Sequence, residues 1–223
     1  MNKNLKSVLL WLLDLGLNLG AILILVFVIQ KFLIAPFDVN GASMCNSLNY
    51  INEQCKNGFG EKIIINETTY NFSEPKRGDI VVFKPKADND KYFIKRVIGL
   101  PGEIIEIKDG KIYVTKKDSK TTEELDEPYL SSNNRNNTRT YFSGFSVFEV
   151  PEDHYFMLGD NRNASTDSRS CFGHEIDITC KQTPEKAFVS KELIRGKAWF
   201  AWWPLANMRM LNHQAYSTSL AEK

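Results

Sequence analysis

A chain of 223 residues is long enough for one membrane segment and one globular domain with a substantial core. Its 28 Lys and Arg against 27 Asp and Glu leave a formal charge of +1, which argues against a nucleic-acid binder because the basic stripe that neutralises phosphates is missing. The first element is VLLWLLDLGLNLGAILILVFVIQKFLIA, residues 8–35. At about 1.5 Å per helical residue it outruns a hydrocarbon core of about 30 Å, so one transmembrane helix is expected there. Asp14 and Asn18 lie one turn apart on one face and are read as sitting toward the cytoplasmic interface or meeting a neighbouring helix. Lys3 and Lys6 precede the span, so residues 1–7 are expected in the cytoplasm and everything after Pro36 outside. Lys31 opposes this and can snorkel to the far interface. Before Pro36 there is no small-x-small cleavage signature, so the helix is expected to stay as an anchor.

Residues 36–210 read as an all-β domain, followed by a tail from residue 211. Strands are expected at Lys62–Ile65, Ile80–Pro85, Tyr92–Gly99, Ile104–Lys108, Lys111–Thr115, Phe145–Val150, Tyr155–Leu158 and Gly196–Trp203. Asp109-Gly110 in IIEIKDGKIYV supplies the positive φ angles of a two-residue hairpin, and Leu100-Pro101-Gly102-Glu103 has the residues of a type II turn. Two polar insertions, residues 49–74 and 116–140, interrupt the strands, the second ending in NNRNNTRT and read as a long exposed loop. Arg77-Gly78-Asp79 matches an integrin-binding tripeptide but is read as a turn before a strand. Cys45 with Cys55, and Cys171 with Cys180, are pairs able to close two loops in an exported domain; four free thiols remain open as the alternative. A zinc site on Cys171, His174 and Cys180 lacks a fourth ligand and is not expected.

NGASMCNSL, residues 40–48, places Ser43 in a polar turn just beyond the span. A serine hydroxyl attacks an acyl carbon only when a base removes its proton. None of the three histidines, His154, His174 and His213, stands in a triad-like motif. Lys95 in YFIKRVIG shares a strand face with Phe93 and Val97. Burial on such a face would lower the amine's pKa and make it a base near neutrality, whereas a lysine that snorkels to the surface would stay an ordinary cation, and the strand pattern by itself favours the latter.

Five segments in order, GASMCNSL, RGDIVVFKP, YFIKRVIGLPGE, EPYL and MLGDNRNASTDSR, together resemble the bacterial type I signal peptidases, also called leader peptidases. The resemblance implies a mainly β, signal-peptidase-like antiparallel domain behind one transmembrane helix, and a serine endopeptidase with a Ser/Lys dyad. Ser43 then matches the nucleophile, Lys95 the general base, and Ser165 the hydroxyl that orients the lysine. Asp160, Asn161, Arg162, Asp167 and Arg169 match the structural part of the last box, with Asp167 and Arg169 placed to form a bidentate pair. The implied partners are preproteins bearing signal peptides and the lipid bilayer, with no nucleic acid, metal or cofactor. The implied form is a monomer, single-pass in a bacterial plasma membrane with its catalytic domain outside.

Three positions depart from the family's pattern, among them Ser47, a serine where its box has threonine. Asn46 replaces the proline of its S-M-x-P-T-L box, and Gly41 stands where some members carry an oxyanion-binding serine. A tethered β-domain that binds a partner without cutting it is therefore the alternative. A repressor-type Ser/Lys protease is disfavoured by the span. Trp199, Trp202 and Trp203 are candidates for the membrane interface or for core packing.

Overall fold

The structure is a computed structural model that describes residues 3–86, 90–116, 121–142, 144–173, 180, 182–211, 214 and 216. In chain order, helix α1 (Lys3–Phe32) leads into β1 (Ile34–Asn40), the hairpin β2 (Tyr50–Ile51) and β3 (Gln54–Cys55), then β4 (Phe59–Asn66) and the short α2 (Thr69–Phe72). There follow β5 (Ile80–Phe83), β6 (Phe93–Gly99), β7 (Glu103–Lys108), β8 (Lys111–Lys116), β9 (Thr122–Glu124), β10 (Val147–Glu149) and β11 (His154–Leu158). The chain closes with β12 (Phe188–Ser190), β13 (Ile194–Trp203) and β14 (Arg209–Met210). The fold is mainly β with one apolar N-terminal helix, as expected.

Within α1, Lys6–Ile29 is apolar enough to cross a membrane, and none of that stretch is buried against the domain. A helix that is apolar on every side and packs on nothing fits a lipid surround. It ends at Phe32, three residues short of the expected Ala35. Ile34 and Ala35 instead pair with Asn66 and Ile65 as the start of β1. Pro36 explains the difference, because it disfavours helix at Ala35 and is tolerated on an edge strand that need not supply its N–H.

The larger sheet is antiparallel in the order β1-β4-β13-β5-β6-β11-β12, with β14 added to β13; a second runs β10-β7-β8-β9. Central strands β5 and β6 bury both faces. Ile80, Val82 and Ile94 pack on one side with Val39, Met44 and Leu48, and Val81, Phe83 and Val97 on the other with Met157 and Phe172. All eight expected strands form, most with shifted ends. The expected turns also form: Asp109 and Gly110 have φ of 51° and 79°, and Gly102 has φ 76°.

The two insertions are structured rather than plain loops. Residues 49–74 hold β2, β3, β4 and α2. In the second, expected as an exposed loop, β9 pairs with β8 and Leu125, Glu127, Leu130, Asn134 and Thr138 are buried. The polar run folds inward because its groups satisfy one another and the neighbouring hairpin, as when Asn134 N–H donates to Ser131 O and Thr138 N–H to Gly110 O in the turn between β7 and β8. Arg77 and Asp79 are buried, bonded to Glu103 and to Tyr70 and Lys197, so the tripeptide is a turn with no adhesive face. Both cysteine pairs are disulfides, Cys45–Cys55 and Cys171–Cys180, so neither of the latter offers a thiolate to a metal. His174, His213 and most of the tail lie outside the described residues.

Candidate active site

Strand β1 delivers the chain into the turn that carries Ser43. Gly41 makes the corner with φ +88°, a conformation that favours glycine. Beyond it, Cys45 N–H donates to Ala42 O, and the N–H groups of Ser47 and Leu48 both reach Met44 O. Met44, Cys45 and Leu48 are buried and pin the turn, leaving Ser43 half-buried at its crest. Asn46, where the family pattern has proline, has φ 76°. Proline is confined near −65°, so this turn differs in kind from one built on proline.

Lys95 enters from β6, paired with Val81 of β5 and sharing its face with Phe93 and Val97. Its Nζ stands 2.8 Å from Ser43 Oγ and donates to Ile94 O at 2.9 Å. The residue is 3% exposed. Burial pulls its pKa down from 10.5 to about 8, against the opposing charges of Asp167 and Asp160 and with help from Arg169. A buried, weakly basic amine in contact with a serine hydroxyl is an arrangement that can activate the oxygen for acyl transfer. The departures at Gly41 and Asn46 leave this contact intact.

The segment after β11 closes behind the pair. Asn161 N–H donates to Ser43 O and its Nδ2 to Ala42 O, so this asparagine clasps the turn through the carbonyls of the two peptide bonds that flank Ser43. Ser165 is buried, and its Oγ faces Asp167 without a well-aligned bond to any group. The lysine's hydrogen-bond partners are Ser43 and Ile94. Gly159 was not singled out from sequence, yet a Cβ there would meet Ser165 Oγ at 2.1 Å and Ser43 O at 2.4 Å. Only glycine lets these segments approach so closely. The signal for it was the first letter of GDNR.

Three buried arginine–carboxylate pairs frame the site. Arg96 grips Asp160 through Nε at 2.9 Å and Nη2 at 2.6 Å, stacks on Tyr129, and shares Asp160 with Ser47 Oγ. Arg162 pairs with Glu127 and bonds Thr138 Oγ1 and Gly159 O. Arg169 and Asp167 form the expected bidentate pair at 2.9 and 2.8 Å. Burial would push the Asp167 carboxyl up, but Arg169, the nearby Ser165 hydroxyl and the Gly159 N–H outweigh it and hold it below the usual range. Sequence reasoning missed Glu127 as Arg162's partner, and it missed Asn49. Asn49 is fully buried; its Nδ2 donates to Val39 O, Gly41 O and Gly58 O while its Oδ1 accepts from Glu61 N–H.

A groove of about 620 Å³ runs beside the pair between β1 and the start of β6, with Phe37, Val39, Ile63 and Ile94 among its walls. Its apolar lining and two flanking strand edges suit an extended peptide. His154 lies at the start of β11 with Nδ1 against Glu152 O. Trp199 and Trp203 are nearly half exposed, whereas Trp202 is more covered.

The family model described as signal peptidase, peptidase S26, matches residues 12–203. Signal peptidase I S of Bacillus subtilis strain 168 is 32% identical over 193 residues, covering 85% of this chain and 88% of that protein. Signal peptidase IB of Staphylococcus aureus strain COL is 28% identical over 215 residues, covering 92% and 94%. A solved signal peptidase I from Enterococcus faecalis V583 is 30% identical with a TM-score of 0.38, covering 56% of this chain and 97% of that one. With the family model spanning nearly the whole β domain and relatives of matching length on either side of 30% identity, the chain belongs to the signal peptidase family, peptidase S26, and is a serine peptidase.

Proposed function

We propose that the chain removes N-terminal signal peptides from exported preproteins by acyl transfer through Ser43, with Lys95 as general base. The observation that carries this reading is the 2.8 Å contact between a half-buried serine and a buried lysine whose pKa is pulled down to about 8. The preprotein lies extended in the groove beside β1, and the apolar walls around Val39 and Ile94 accept small residues one and three positions before the cut. Neutral Lys95 takes the Ser43 proton as Oγ attacks the carbonyl carbon. The oxyanion meets the Ser43 backbone N–H. The lysine then protonates the leaving amine, and, neutral again, activates the water that releases the signal peptide from Ser43.

Ser165 is assigned to orient the lysine. Its buried hydroxyl, short of a well-aligned partner, is available to the amine once substrate takes up Ser43. Asp160, Asn161, Arg162, Asp167 and Arg169 hold the segment carrying Ser165 and clasp the turn; they exchange no protons. We place the chain as a monomer in a bacterial plasma membrane, anchored by α1 with residues 1–7 in the cytoplasm and residues 36–210 as an extracytoplasmic catalytic domain. Trp199 and Trp203 would rest in the interface, where indoles are favoured.

The test is cleavage of a model preprotein in liposomes by the wild type, Ser43→Ala and Lys95→Ala, each checked for folding by circular dichroism. The wild type is expected to cut after a small-x-small motif and both variants to be silent. A folded wild type inert toward several preproteins would remove the reading.

A further inference from the structure

We propose that the Cys45–Cys55 disulfide is a positioning element for catalysis, fixing the turn that holds Ser43 Oγ against Lys95. The inference rests on the Ser43/Lys95 reading and adds to it a covalent device that the dyad itself does not require.

Between the two cysteines the chain makes only the hairpin of β2 and β3, two residues a strand, which is too short to hold the segment by itself. Asn46, Asn49, Asn52 and Glu53 have φ of 76°, 56°, 52° and 60°. Four of the nine intervening residues sit in the left-handed region; three are asparagines, which tolerate it, and Asn52-Glu53 form the turn of the β2–β3 hairpin. A segment of this kind persists only where its surroundings impose it. Cys45 and Cys55 bracket these four positions, and the bond between them closes the segment into a ring.

That ring is joined to the nucleophile from both directions. Cys45 is buried two residues after Ser43, and its N–H donates to Ala42 O. Within the ring, Asn49 reaches back to Val39 O and Gly41 O, the carbonyls just before Ser43. Lys56 N–H, one residue past the disulfide, donates to Asn49 O. Glu61 accepts from the Asn49 N–H, and Arg209 from β14 bonds both Glu61 and Ser47 O. Opening the disulfide frees the left-handed residues to relax. Asn49 then loses its register on β1, and Ser43 drifts from the amine.

The experiment compares the wild type with Cys45→Ala/Cys55→Ala in the full-length protein. It reads kcat and KM per folded molecule on a preprotein, and the Lys95 titration by competitive amine labelling and mass spectrometry. The proposal expects KM within about twofold and kcat lower by about tenfold or more, the scale of effect that small misplacements of reacting groups produce. It also expects the Lys95 titration to move from about 8 toward 10.5 as water reaches the amine. A merely stabilising cross-link would leave the labelling pKa of folded molecules where it was. The proposal is overturned if kcat per folded molecule is unchanged, or if it falls while the lysine titration stays put. Should the double variant not fold, the same readings are taken on wild type reduced with a phosphine, since Cys55 is exposed. Labelling does not depend on turnover. A chain that keeps Lys95 low only when cross-linked, yet cuts no preprotein, would sink the preprotein reading while keeping the cross-link's hold on the Ser43–Lys95 contact; a chain that cuts preprotein equally well with and without the cross-link would sink the positioning role alone.

Discussion

Lys95 concentrates the chemistry because burial sets its proton affinity, and that has consequences for both rate and stability. If the neutral amine is the base, kcat plotted against pH should rise through an acid limb centred near 8 and not near 10.5. The same displacement destabilises the fold. A lysine whose pKa is lower folded than unfolded binds fewer protons in the native state between about 8 and 10.5, so stability rises with pH across that window and the full penalty is present below it. At about 1.4 kcal/mol per pH unit, the penalty at pH 7 is about 3 kcal/mol. Lys95→Met is therefore expected to be inactive yet more stable than the wild type at pH 7, with the advantage fading as pH rises past 8; urea titrations at pH 7 and 10 measure it. Ser43 and Lys95 were legible in the sequence because GASMCNSL and YFIKRVIGLPGE resemble the signal peptidase motifs; a polar turn after a span and an apolar strand face alone left a surface lysine as the better reading. Gly159 was not, because its function is to have no Cβ where Ser165 and Ser43 O meet, and that proximity joins segments far apart in the chain.

At the scale of elements, alternating apolar residues and turn dipeptides were enough to locate the strands of the two sheets. They failed for β1, whose residues continue the apolar run of the helix, and for the segment 121–140, whose polar composition reads as solvent-facing. What composition cannot reveal is that Glu127 is taken inward by Arg162, as part of a frame that also includes Arg96–Asp160 and Arg169–Asp167. Breaking one such pair leaves the partner's charge buried without its counter-ion. Glu127→Ala is accordingly expected to lower unfolding stability by about 3 kcal/mol. Asp38→Asn, at the half-exposed Lys62–Asp38 pair, should cost less than about 1 kcal/mol. Denaturant midpoints of the two variants, side by side, check the contrast; equal losses would mean that the arginine frame is not what holds the segment in place.

For the whole molecule, the decisive relation is between helix and site, because almost no chain separates them. Helix α1 ends at Phe32, β1 begins at Ile34, and Leu33 O accepts from Glu67 N–H at the end of β4, so the helix exit is bonded directly to the sheet. The seven residues of β1 at about 3.3 Å each span about 23 Å, and Ser43 follows three residues later. If α1 is anchored in a bilayer, this strand fixes how far Ser43 stands from the lipid. A preprotein whose own apolar helix is held in the same bilayer then presents its cleavage site at a matching height. Inserting six Gly/Ser residues between Leu33 and Ile34 adds a flexible tether with a mean reach of about 13 Å and leaves the groove untouched. Cleavage of a liposome-embedded preprotein should then slow and spread to neighbouring sites, while a short peptide in detergent is cut as before. Equal loss on both substrates would mean that the insertion damaged the domain, and no loss on either would mean that the short exit from the helix has no part in choosing the cut.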